Sequence, residues 1–287
     1  MNAMTLTHDL GGDWHGHSGN APCPVCQPER RRDQRGLSLK NDGGSLLIYC
    51  HKSRCEFSEI LRALNIPADF SPDLAAVAKV ERERHADVEK NRLRARRIWD
   101  HAEPIRGTKG EAYFRSRGIT LDLPASLRWR KDILHTSGRW LSAVVADVQP
   151  TGGIHRTYFE KTGTRLKSAA KLMLGPCAGG AVQLADGPGA LLVGEGVEST
   201  LSALQLLERP RVRAWAALST SGMKALRLPP DPGELIVASD GDAPGRAAAR
   251  VLADRATAAG WRVSIADPDG PDGHDWNDVR MARRMAA

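Results

Sequence analysis

The sequence predicts an α/β fold. A C-terminal parallel sheet follows an α+β segment, and both follow a small, cysteine-rich N-terminal module. Three observations point there. Over residues 188–287, short apolar runs (ALLVGE, VRAWAAL, ELIVASD, WRVSIADP) alternate with amphipathic stretches (ESTLSALQLLE, SGMKALRL, APGRAAARVLADRATAAG, DWNDVRMARRM). This is the pattern of strands buried on both faces and joined by crossover helices. Over residues 140–160, WLSAVVADV and GGIHRTYFE meet at a PTGG turn, which reads as a hairpin. Four of the five cysteines fall between Cys23 and Cys55, a clustering that marks a metal site in a reducing compartment.

With 287 residues, 41% hydrophobic and 26% charged, the chain has room for two or three modest domains. The expected divisions are a metal-binding module over 1–66, a linker and bridging helix over 67–102, a basic subdomain over 103–187 and the parallel-sheet domain over 188–287. PADFSPD reads as the linker. Residues 74–102, dense in mixed charge, read as an exposed helix. Charge is uneven: 1–100 carries 16 Lys+Arg against 14 Asp+Glu, 101–187 carries 13 against 7, and 188–287 carries 12 against 13. A basic middle beside an acidic end suits a polyanion path leading to a carboxylate site. No apolar run of membrane-spanning length occurs. The N-terminus lacks the basic and apolar regions of a signal peptide, so the expected location is cytoplasmic, with no membrane partner.

Cys23-Pro-Val-Cys26 is a knuckle, and Cys50 and Cys55 form a second, wider pair. Four thiolates at about 2.3 Å suit tetrahedral Zn²⁺, here structural, because so small a module needs a staple. The wider spacing leaves His51 as an alternative to Cys50, with His15 and His17 as remoter substitutes. A redox dithiol is disfavoured because the knuckle does not open a βαβ unit. Arg30, Arg31, Arg32, Arg35 and Trp14 are candidates to touch phosphates or stack on bases.

Three acidic groups fall after predicted parallel strands: Glu195, then Asp240 with Asp242, then Asp275 with Asp278. Ligands of open α/β sheets bind outside the carboxyl ends of the strands. Clustered carboxylates need a hard cation, and Mg²⁺ accepts carboxylates, waters and phosphates together.

The segments VGEGVEST, SDGDAPG and PDGHDWND, in this order, resemble the Toprim domain shared by bacterial-type primases, topoisomerases and some nucleases. The resemblance implies that Glu195 is the family glutamate and that Asp240 and Asp242 are its DxD pair, holding catalytic Mg²⁺ or Mn²⁺. Asp275 and Asp278 stand where plasmid and phage primase-like members carry a GxDxND tail, implying an outer metal contact or a helix cap. YFRSRGI, GGIHRTYFE and KSAAKLMLGPCAGGAVQL resemble the middle segment of those members. CPVC followed by LSLKNDGGSLLIYCHKSRC resembles their zinc module, a zinc ribbon, so the resemblance spans nearly the whole chain.

It implies a nucleotidyltransferase: a DNA primase making short RNA primers on single-stranded DNA by two-metal chemistry, in plasmid or phage replication. Arg156, Lys161, Arg165, Lys167 and Lys171 are then candidates for NTP and template contacts. Arg156 and Lys171 are favoured because they match positions in the family-like motifs; Lys224 and Arg246 rank second. Cys177 and Trp276 read as structural. A metal-dependent Toprim nuclease is the enzymatic rival, and a non-catalytic zinc-containing single-strand-binding accessory protein is the other. A topoisomerase needs a nucleophilic tyrosine on a gate domain, for which Tyr49, Tyr113, Tyr158 and the length leave no room. The chain holds no GxxxxGK[ST] loop, so a helicase is expected in trans.

Overall fold

The computed structural model describes residues 2–31, 33–42, 45–66, 74–208 and 211–286, in two units, Met1–Asp87 and Val88–Ala287. The expected linker over 67–73, and Arg32, lie outside the described residues.

In the first unit, helix α1 (Ala3–Asp9) precedes strands β1 (Asp13–Trp14), β2 (Ser18–Ala21), β3 (Leu37–Asp42) and β4 (Ser45–Cys50), then α2 (Phe57–Ala63). The strands form an antiparallel sheet in the order β1-β2-β3-β4. Alternation sets the register: Leu37, Leu39, Leu46 and Cys50 face inward against Ala3, Leu6 and Leu10 of the α1 segment and Ile60 and Leu61 of α2. Glu56 and Glu59 close a capping box at the start of α2. The core is small, as expected of a module that relies on a staple.

Helix α3 (Leu74–Asp100) contains the boundary between the units. Its residues 82–94 are exposed, whereas Ala95 and Trp99, four apart, are buried with Val145 and Ile154. The expected exposed helix therefore docks its last turns on the next sheet.

The second unit continues with β5 (Glu103–Pro104), α4 (Lys109–Ser116), β6 (Leu127–Leu134), β7 (Trp140–Val148), β8 (Gly153–Phe159) and β9 (Lys171–Leu174). These strands form an antiparallel sheet in sequence order. The β7–β8 hairpin turns at PTGG, with a cis Gln149–Pro150 bond. Next come β10 (Val182–Ala185), β11 (Leu191–Gly194), α5 (Val197–Leu206), β12 (Arg213–Ala216), α6 (Thr220–Ala225), β13 (Glu234–Ala238), α7 (Ala243–Ala258), β14 (Arg262–Ala266) and α8 (Trp276–Ala286). Their sheet has the order β10-β12-β11-β13-β14. Strands β11 to β14 run parallel, whereas β10 pairs antiparallel with β12. β10 thus joins this sheet although it falls in the 103–187 segment.

Both faces of the sheet are covered at β11 and β13, which is why these strands read as apolar runs, whereas β14, expected to be buried as well, lies at the sheet edge and is largely exposed. Leu192, Ala214 and Ile236 face Trp129, Val144 and Phe159 of the antiparallel sheet and Phe114 of α4. Leu191, Val193, Leu235 and Val237 face Met223 of α6 and Ala248, Leu252 and Ala256 of α7. The order also fixes where a ligand can enter. From central β11 the chain moves through α5 to β12 on one side; from β13 it moves through α7 to β14 on the other. The loops after β11 and β13 diverge and open a crevice at the carboxyl ends of these two strands.

Candidate functional site

In the first unit, the ligand atoms of Cys23, Cys26, Cys50 and Cys55 all lie within 4.8 Å of one another, and the Sγ atoms of Cys26 and Cys50 are 3.6 Å apart. Tetrahedral zinc with bonds of about 2.3 Å sets its sulfurs about 3.8 Å apart, so the donor set fits that ion. Gln27, which sequence reasoning passed over, builds the knuckle. Its buried Oε1 accepts from the backbone N–H of Cys23 at 3.2 Å and of Gly36 at 2.9 Å, and a Cβ on Gly36 would meet that oxygen at 2.3 Å. Burial opposes ionisation of Cys50, but N–H donors from Ser53 and Cys55 pull its thiol down to about 6. Burial and neighbouring thiols push Cys55 up to about 12. Such a cluster gives up all its protons only to a cation.

His51 turns away: its Nε2 lies 2.9 Å from Ser38 Oγ, and its ring meets Tyr49 edge-on. It stands outside the ligand group, as do His15 and His17. Arg35 is paired with Asp13 at 2.8 Å and Arg31 lies 3.6 Å from Asp33, while Trp14 packs against the module's core.

In the second unit, Glu195 follows β11 directly, Asp240 and Asp242 follow β13, and Asp275 stands at the start of α8. Each is held. The Glu195 carboxylate accepts the backbone N–H of Thr220 at the start of α6. Asp240 Oδ1 accepts from the buried Ser199 hydroxyl at 2.7 Å. Asp242 caps α7, with Oδ1 accepting from Gly245 N–H at 2.7 Å. Asp275 Oδ1 accepts from the N–H groups of Asn277 and Asp278, both at 2.8 Å, and Asp278 returns the bond to Asp275 N–H at 3.1 Å. Of the two roles implied for this tail, the structure shows the cap.

Gly241, between the two aspartates, ties the tail to the crevice. Its N–H donates to His274 O at 3.0 Å, and its carbonyl accepts from Gly273 N–H at 2.8 Å. A Cβ there would meet His274 O at 2.4 Å. Trp276, buried, donates Nε1–H to Ser239 O at 2.9 Å and so docks α8 under the end of β13.

Burial, and then the charges of Asp240 and Asp242, push Glu195 up to about 7. Burial raises Asp240 to about 6; the Ser199 hydroxyl opposes this, and the charges of Asp275 and Asp242 add to it. These carboxylates resist ionising together, and a hard cation relieves that repulsion. Among the described residues no three carboxylates bring ligand atoms within 4.8 Å of one another. The site is wider than the thiol cluster and suits a cation that keeps waters.

Residues 190–285 match the family model of the Toprim domain. This segment is a Toprim domain. Residues 89–184 match a domain of unknown function, DUF7146, and no curated protein matches the chain. Among solved structures, the zinc-binding and RNA polymerase domains of the Aquifex aeolicus primase are 15% identical, covering 99% of this chain and 82% of that one, with a TM-score of 0.40. The primase fragment of the bacteriophage T7 primase-helicase protein is 15% identical, covering 93% and 96%, at 0.33. A DNA primase domain from Pseudomonas aeruginosa is 16% identical, covering 61% and 56%, at 0.32.

Around the Toprim carboxylates, the basic candidates separate. Lys171 opens β9, and its charge bears on both Glu195 and Asp240. Lys161, Arg165 and Lys167 are exposed in the β8–β9 connection. Arg156 is turned inward: it is 6% exposed and donates to Tyr158 Oη at 2.7 Å and Met173 O at 3.0 Å. Arg246 is held by Gly241 O and Asp272. Cys177 lies among Ile154 and Leu174 carbonyls, and burial pushes its thiol up to about 11. Glu198 is the Toprim residue that sequence reasoning missed. It is buried and bonded to Lys171 and Tyr113. Its signal was a charged residue inside VESTLSA, a turn otherwise made of small and apolar residues.

Proposed function

We propose that this chain is a DNA primase, a nucleotidyltransferase that joins ribonucleotides on single-stranded DNA. The observation that carries the reading is a Toprim crevice, lined by Glu195, Asp240 and Asp242, in which the charge of Lys171 from the adjoining subdomain bears on Glu195 and Asp240. A four-thiol module in the same chain supports it.

Asp240 and Asp242 would hold Mg²⁺ or Mn²⁺, with Glu195 as a further ligand and Asp275 orienting the loop beside them. The bound cations supply charge neutralisation at the reacting phosphate and a more acidic 3′-hydroxyl. The protein's own part is positioning. Ser199 and the α7 and α8 caps fix the carboxylates, and Lys171 draws the triphosphate to them. Lys161, Arg165 and Lys167, exposed on one connection, offer charge to the template backbone. Zn²⁺ on the four cysteines would hold the first unit folded. Plasmid or phage replication, with a helicase supplied by another chain, is the setting proposed.

The test is synthesis from labelled NTPs on circular single-stranded DNA with Mg²⁺ or Mn²⁺. Short, alkali-labile products that disappear with Asp240→Ala are expected. DNA retained on a gel by wild-type protein with no product under either metal, or with added helicase, would point instead to an accessory binding protein.

A further inference from the structure

Glu198 stands on the first turn of α5, three residues after Glu195, and is 6% exposed. Its Oε2 accepts from Lys171 Nζ at 2.8 Å, and its Oε1 accepts from Tyr113 Oη–H at 2.9 Å. Desolvation is the strongest single influence and works against its charge, yet the Lys171 ammonium, a backbone N–H and the Tyr113 hydroxyl together hold the carboxyl down to about 2. A buried ion pair is a poor stability device, since apolar residues of the same shape often serve as well or better. Its placement is more telling. The next residue, Ser199, donates to Asp240 Oδ1. One helical turn therefore grips a Toprim carboxylate with one side chain and a lysine of β9 with its neighbour. Lysine is a point charge on a flexible stem, and the Lys171 side chain is 39% exposed. Without a tether it would sample solvent.

We propose that Glu198 is a positioning residue: it holds the Lys171 ammonium beside Glu195 and Asp240, where that cation meets the phosphates of a nucleoside triphosphate. The proposal rests on the nucleotidyl-transfer reading for the identity of the ligand. It extends to a residue that touches neither metal nor nucleotide.

The experiment is equilibrium binding of a fluorescent ribonucleoside triphosphate to the full chain in Mg²⁺, with Mn²⁺ binding followed by electron paramagnetic resonance. Glu198→Gln keeps the shape and the Tyr113 bond and removes the charge. It should weaken nucleotide binding about tenfold, and combining it with Lys171→Ala should add nothing further, as for two members of one pair. Mn²⁺ affinity should stay within about twofold, because the carboxylates that would hold the metal are intact. Tyr113→Phe, which leaves the ion pair, should change nucleotide affinity less than about threefold. Wild-type nucleotide affinity in Glu198→Gln, or a loss additive with Lys171→Ala, overturns the proposal. Should Glu198→Gln fail to melt cooperatively, Glu198→Asp carries the comparison. Its carboxylate is one methylene short of Lys171, so about threefold weaker binding is expected and unchanged binding contradicts. The readout is binding, so a protein that binds nucleotide in this pattern yet makes no primer sinks the primase reading alone.

Discussion

The thiol cluster and the Toprim crevice assemble their donors by opposite means. Cys23 and Cys26 share one turn, Cys50 and Cys55 another, and a four-stranded antiparallel sheet brings the two turns together. The thiols touch, and the buried Gln27 amide fixes the knuckle from behind. In the crevice, Glu195 and Asp240 come from two strand ends and Asp275 from the start of α8, spread over 81 positions. Each is held by a donor of its own, and their oxygens stay apart. A closed donor set is the mark of a structural ion, and an open one is the mark of an ion that must also receive substrate. Removing donors should therefore unfold the first region and silence the second.

Cys23→Ser tests the first half of that contrast and should have the largest effect. Structural zinc supplies on the order of 10 kcal/mol to modules of this kind. Residues 1–66 should lose amide-exchange protection together with bound zinc, while residues 188–287 keep theirs. Full protection of the module without zinc would break the comparison.

Asp240→Ala should lower nucleotide incorporation by about 10³-fold or more, since the group acts on developing charge. Its thermal midpoint should equal or exceed the wild-type value, because a repelling carboxylate has been removed. A cooperative loss of fold would place this residue with the cysteines.

Gly241→Ala sharpens the account of the crevice. The added methyl meets His274 O at 2.4 Å and should destabilise the second unit by about 1–3 kcal/mol in urea unfolding, leaving zinc content unchanged. An unaltered urea midpoint would mean that the tail is not tied through this residue.

Acidity separates the regions more gently. Glu195 and Asp240 sit at about 7 and about 6 in the folded chain, above their unfolded values near 4. Between about pH 4 and pH 7 these two groups make the native state hold more protons than the unfolded state, so their contribution to stability falls as pH rises. In metal-free protein the second unit should melt several degrees lower at pH 7.5 than in a Glu195→Gln variant, and the gap should close toward pH 5. A gap that is constant across this range would contradict the crowding.

The smallest effect belongs to Ser199→Ala. Losing one hydrogen bond to a carboxylate is worth about 1–2 kcal/mol, read as weaker Mn²⁺ binding with an unchanged melting point. An unchanged Mn²⁺ affinity would show that Asp240 needs no such support.

Much of this was legible in the chain. Residues 191–194 and 235–238 are strands because every position is apolar or small, as burial on both faces requires. The acidic groups could be placed at strand ends from their order alone. The antiparallel pairing of β10 was not legible, because VQLA carries no mark of its direction. The choice between Cys50 and His51 needed the third dimension: alternation along β4 points Cys50 to the core, and His51 bonds Ser38 across the sheet. Arg156 lies in a basic segment and reads as a favoured candidate for NTP and template contact, yet β8 is buried along its whole length and carries it inward. Glu198 shows the converse, a charge whose partner lies 27 residues away and is invisible to any local pattern.

The central claim is that these carboxylates pass a nucleotide to a 3′-hydroxyl rather than to water. One reaction decides it: circular single-stranded DNA labelled in its backbone, NTPs carrying a second label, Mg²⁺ or Mn²⁺, and wild-type protein beside Asp240→Ala. We expect the second label in short chains and the circle intact, with both chains and label lost in the variant. A nicked or degraded circle without labelled chains would contradict the account and make the crevice a nuclease site.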